Sequence, residues 1–213
     1  MKLSIGKRLL LVVGIAVASL PVADADAEVC ASADEAAVVR QYYVENPEML
    51  PFVAARSLGV SEAVVLSALP KEQAIGVDPG AFQSIWAELV GIDNVSTTIF
   101  AGGSIFEVHG KIPSGTPSSR SNYFNLESEE GQIGGHLRPD LIASIYVVHI
   151  AVGNRSDTIG VSFIDGNGDA IFGVYLSGAE VTPTDENLAK AHELKKLAMS
   201  LPSACEAGTL RSE

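Results

Sequence analysis

The spacing of apolar and polar positions changes period twice along this chain. It is helical up to about Val90, alternates every second residue from Val95 to about Leu176, and is helical again after Thr184. Ser32-Ala33-Asp34-Glu35 has the S-x-x-E form of a capping box and predicts a helix running to about Asn46, just before Pro47. A second helix is predicted over 48–58 and broken by Gly59. Ser61 caps a third over 62–69, which Pro70 stops. Asp78-Pro79, a cap followed by a first-turn proline, opens a fourth that continues to about Val90. In the middle of the chain, Val95 to Phe100 and Ser104 to His109 flank Ala101-Gly102-Gly103 and predict a hairpin. Further strands are predicted at 122–126, 132–137, 142–151, 158–164 and 170–176, with Asp165 to Asp169 forming the last turn. Thr184 caps a closing helix whose apolar stripe is Leu188, Ala191, Leu194, Leu197 and Leu201. Seven strands joined mainly by short loops predict an α+β fold. Its parts are one large antiparallel β-sheet, an N-terminal helical segment and a C-terminal helix.

The first 27 residues have a different pattern. Lys2, Lys7 and Arg8 precede an apolar run from Leu9 to Leu20, and Ala-x-Ala sites follow, the latest ending at Ala27. This is the three-part form of a secretory signal peptide. Twelve residues at about 1.5 Å each are too short for a bilayer core of about 30 Å, so an uncleaved span is the weaker reading. The sequence therefore predicts a signal peptide over 1–27, a single domain over 28–213, no membrane span after cleavage, and a periplasmic or secreted protein. Cys30 and Cys205 stand at opposite ends of that domain. A staple joining the termini suits such a pair better than a redox or metal site, which needs close spacing, although two cysteines alone do not establish that the chain ends meet.

A formal charge of −12 removes the basic face that nucleic-acid binding needs. The helix-turn-helix-like stretch from Ala54 to Ser61 is accordingly read as a helical pair filling a small core. Asp165-x-Asn167-x-Asp169 resembles the start of an EF-hand loop, but Ala170 and Leu176 stand where glycine and glutamate are required, and a hairpin turn explains it better. Among the histidines, His192 reads as exposed near a helix end. His149 shares a strand face with Ile145 and Val147 and reads as a core residue. His109 ends a strand, and His136 follows Gly134-Gly135 and precedes Leu137-Arg138. Glycines let a flat ligand approach the backbone, and a nearby arginine can pair with a carboxylate. No G-x-S-x-G nucleophile motif is present.

From about Val60 to Leu201 the sequence resembles the ChuX/HutX haem-utilisation carriers. The resemblance is carried by the blocks Leu66 to Pro70, Phe82 to Trp86, Val95 to Ile99, Glu107 to Gly115, Tyr123 to Leu126, Gly134 to Leu137 and Phe163 to Tyr175. It implies a haem-binding protein acting in haem uptake, carriage or storage. The implied cofactor is haem of b type held non-covalently, with other haem-uptake proteins as further partners and a homodimer as the assembly. It also implies Tyr123 and His136 as iron ligands, with His109 nearby and Arg120, Arg138 and Lys111 as partners for the propionates. Phenolate and imidazole both ligate ferric haem. The chain departs from the family at Phe100, where members carry a histidine, and at Thr116 to Ser121, where a histidine-rich loop is lost. Weaker haem binding than in a cytoplasmic relative is expected. The alternatives are a haem-degrading enzyme, as assigned to larger proteins built from two copies of this fold, and a non-haem binding or interaction module.

Overall fold

The computed structural model describes residues 30–129, 133–153, 155–179 and 181–205. The expected signal peptide lies outside them. Three helices come first: α1 (Ala33–Glu45), α2 (Pro51–Leu58) and α3 (Glu62–Ala68). The capping box at Ser32 forms as predicted, with Ser32 accepting from the Glu35 amide and the Glu35 carboxylate accepting from the Ser32 amide at 2.9 Å. Helix α2 begins three residues later than the pattern suggests, because a proline at 51 disfavours helical geometry at Leu50. The fourth predicted helix opens as a 3₁₀ turn at Pro79–Ala81, where the Asp78 carboxylate accepts from the Gly80 amide at 2.8 Å. It continues as α4 (Phe82–Leu89).

Nine strands form among the described residues, two more than predicted: β1 (Ala74–Val77), β2 (Val95–Ala101), β3 (Ser104–Gly110), β4 (Ser114–Pro117), β5 (Phe124–Glu127), β6 (Gly135–Leu137), β7 (Ile142–Ile150), β8 (Thr158–Asp165) and β9 (Ala170–Ser177). They are followed by α5 (Asp185–Ser200). The α+β expectation holds, and the single sheet resolves into two. Six strands pair antiparallel in the order β1-β7-β8-β9-β2-β3, and β4-β5-β6 make a separate antiparallel sheet. The hairpin predicted at Ala101 to Gly103 closes on two glycines with φ of 58° and 82°, a turn that twists with the strands.

The large sheet carries helices on both faces. On one face Ile145, Val147, Val161, Phe163, Phe172 and Val174 pack against Phe82, Ile85, Trp86 and Leu89 of α4 and Leu194 and Ala198 of α5. On the other, Tyr146, Val148, Ile150 and Ile164 meet Ala63, Leu66 and Leu69 of the α3 segment. The resemblance of Ala54 to Ser61 to a DNA-binding turn thus resolves into a packed pair, since Ala54, Ala55 and Val65 lie in a core shared with Val39 of α1. Cys30 and Cys205 are bridged, their Cα atoms 5.8 Å apart, so the two ends of the described chain are joined. Asp165 closes the last hairpin by accepting from the amides of Asn167 and Asp169 at 2.8 and 3.1 Å, a turn role that uses the carboxylate internally.

Candidate functional site

The small sheet docks on the body through Phe124, with Leu126 and Leu137 packed against the same core. Phe124 is buried, edge-on to the rings of Phe82 and Trp86 at 5.3 and 6.0 Å between centroids. Its ring lies directly over Gly115 of β4, where any side chain would collide with it. Trp86 in turn donates from its indole N–H to the Pro113 carbonyl at 3.2 Å. Because side chains alternate along a strand, fixing Phe124 inward turns Tyr123 and Asn125 outward. The register places Phe124 opposite Leu137 and Asn125 opposite His136, so His136 also faces out.

Four side chains meet on this outer face. The rings of Tyr123 and His136 stand 5.8 Å apart, edge to face. His136 Nδ1 is 2.8 Å from Asn125 Oδ1 across the strand pair. With Nδ1 carrying the proton toward that oxygen, Nε2 keeps its lone pair and is the nitrogen left to bind a metal. The Arg138 guanidinium lies over the Tyr123 ring, 5.4 Å from its centre. Arg138 also donates twice to Asp140, from Nε to Oδ1 at 2.8 Å and from Nη2 to Oδ2 at 2.7 Å. Asn122 adds a third bond to Asp140 at 2.9 Å. Hydrogen bonds from Arg138 first and Asn122 second hold the Asp140 carboxyl well below the usual range, and the same pairing raises the guanidinium. Arg138 is therefore engaged with Asp140 and Tyr123 rather than standing open for a ligand carboxylate.

The other predicted residues take no part in these contacts. Arg120 sits exposed in the turn between β4 and β5, its amide bonded to Ser118 Oγ at 3.2 Å. Lys111 is exposed just after β3. His109 is exposed on β3, the edge strand of the large sheet, opposite Ser96. His192 is exposed on α5 as expected, but His149 is not a core residue. It lies near the end of β7, half exposed, with Nε2 2.9 Å from Asp157 Oδ2. Sequence reasoning missed Asn125 and Asp140. The Arg-x-Asp spacing was visible, whereas the Asn125–His136 pair depends on a register that local pattern does not specify.

The fold and this face define an α+β domain in which one large sheet, covered by helices on both faces, bears a small second sheet with a phenol and an imidazole turned outward. The sequence profile of the haem utilisation ChuX/HutX family matches residues 75–194. The chain is 32% identical over 143 residues to the intracellular heme transport protein HutX of Vibrio cholerae, covering 67% of this chain and 72% of that protein. It superposes on the crystal structure of ChuX with a TM-score of 0.66 at 21% identity, covering 76% of this chain and 98% of the other. A protein of Agrobacterium tumefaciens gives a TM-score of 0.64 at 29% identity, with 76% and 91% covered. This chain belongs to the haem utilisation ChuX/HutX family. The expectation of a periplasmic or secreted protein is corrected by the same comparison, because the Vibrio cholerae relative is an intracellular protein.

Proposed function

We propose that this chain binds ferric haem non-covalently, as b-type haem, and carries it between proteins of haem utilisation. Family membership and the Vibrio cholerae haem transporter support carriage. The observation that carries the site is the Arg138 guanidinium 5.4 Å from the centre of the exposed Tyr123 ring, which holds that ring on the outer face. A phenol binds ferric iron as phenolate. Tyr123 is 42% exposed, so iron reaches it without opening the core. Tyr123 is accordingly the iron ligand, and Asp140 is a positioning residue that holds Arg138 against it. His136 leans on the same ring from the same face of the sheet. Tyr123 and His136 lie on one face of the sheet and would meet a flat ligand from the same side. Arg120 and Lys111 supply positive charge for the propionates. His109 belongs to a second surface. There β3, an open edge with Ile105, Phe106 and Val108 exposed, is the strand a second copy would pair with in a homodimer.

The test is transfer. Protein loaded with haemin should pass it to excess apomyoglobin with the porphyrin intact, and adding ascorbate should yield no open-chain product. Conversion of the haem on reduction would replace carriage with degradation.

A further inference from the structure

Helix α5 crosses the large sheet from β9, where Asn187 donates to the Leu176 carbonyl at 3.1 Å, to the turn before β1. There Lys195 Nζ donates to the Glu72 carbonyl at 3.2 Å. Leu194 and Ala198 of this helix share a core with Ile75, Val147 and Val161 of the sheet. Side chains alternate along a strand, so His149 of β7 and Ile159 of β8, paired opposite each other, continue the face of Val147 and Val161 to the end of the sheet. The helix does not fill that end. Between Leu188 and Ala191 on one side and Ile75, Val147 and Ile159 on the other lies an open groove of about 240 Å³. Leu188 belongs to the apolar stripe of α5, yet it is 46% exposed at the side of this groove.

The rim of the groove is positive. Lys71 enters it from the turn before β1 and Lys195 from α5, with the Glu72 carboxylate between them in the lining. The bond from Lys195 to the Glu72 carbonyl holds its ammonium across the groove and uses one of three donors. Asp157 stands outside the lining, with its carboxylate 2.9 Å from His149 Nε2. Two ammoniums against the Glu72 carboxylate leave a surplus of one positive charge, in a chain whose formal charge is −12. Apolar walls with a few charged groups at one side orient a ligand that has both characters. A dianion would exceed the surplus charge, and a neutral hydrocarbon would leave the lysines without a function. We infer that this groove binds a small alkyl monocarboxylate, its chain lying on Ile75, Val147 and Ile159 and its carboxylate held by Lys71 and Lys195 through charge-assisted hydrogen bonds.

The experiment titrates hexanoate and 1-hexanol, which share a chain and differ in charge, and follows the amide resonances of Ile75, His149, Ile159 and Ala191. Both probes should saturate, with hexanoate binding about tenfold more tightly, the worth of two solvent-exposed charge contacts. In the Lys71→Gln, Lys195→Gln double variant, hexanoate should fall to the affinity of hexanol while hexanol is unchanged. Ala191 is partly exposed, so Ala191→Phe fills the groove from its solvent side without opening the core, and should remove binding of both probes. Four results would each overturn the proposal. They are no saturable binding, equal affinity for the two probes in the wild type, a hexanoate advantage that survives in the double variant, and wild-type binding by Ala191→Phe.

Discussion

Asn125 Oδ1 lies 2.8 Å from His136 Nδ1, across adjacent strands whose opposite faces are pinned in the core by Phe124. The amide thereby fixes the imidazole's orientation and turns Nε2 outward. Replacing Asn125 with alanine should let the ring turn. Haemin dissociation, followed by capture with apomyoglobin, is expected to quicken by a few fold, well short of the effect of losing Tyr123.

Arg138 bears on how the Tyr123 ring is held. In Arg138→Ala the ring loses the guanidinium 5.4 Å from its centre, and haemin dissociation should quicken by a few fold. Asp140→Asn should act in the same direction but less strongly, because Arg138 remains while its anchor weakens. Dissociation unchanged in both variants would separate Arg138 from haem binding.

Gly115 makes the small sheet possible. A side chain there meets the Phe124 ring and the backbone of Asn125. Gly115→Val should cost about 1–3 kcal/mol in urea unfolding. It should also weaken haemin binding although residue 115 faces away from Tyr123.

Glu62 gives the fold a pH dependence of calculable sign. Burial first and the Asp169 carboxylate second push its carboxyl up to about 7, against a smaller pull from Arg56. The native state then holds a proton that the unfolded state releases, so stability falls as pH rises from about 4.5 through 7. The effect is of order 2 kcal/mol after allowance for partial solvent screening. Glu62→Gln should flatten this segment of the stability profile and raise the urea midpoint at pH 8.

The disulfide closes a loop with a sequence separation of 175 residues. Loop entropy alone gives it up to about 5 kcal/mol. Thiol reduction should lower the urea midpoint accordingly, and Cys30→Ser should reproduce the reduced midpoint without reductant.

Local signals wrote most of the architecture into the sequence. Ser32, Ser61 and Thr184 cap the helices they were expected to cap, and Gly102-Gly103 turns the predicted hairpin. Strands β1 and β4 went unseen because Ala-Ile-Gly-Val is short and Ser-Gly-Thr-Pro contains two poor strand formers. They become strands only through pairing with β7 and β5. His149 lies on the face its alternation gave, but toward the strand end, where it meets Asp157 and solvent. Tyr123 and His136 were each legible as chemistry. Their meeting was not, because it depends on the β5–β6 register and on Phe124 docking against residues some forty positions earlier.

A haemin titration of the wild type beside Tyr123→Phe decides whether Tyr123 holds the iron. The wild type should show saturable one-to-one binding with a phenolate-to-iron charge-transfer band. Tyr123→Phe should lose that band, shift the Soret maximum and release haem at least tenfold faster, while His192→Ala behaves as wild type. Wild-type protein with no saturable haemin binding, or a Tyr123→Phe spectrum identical to the wild type, would remove Tyr123 as the ligand.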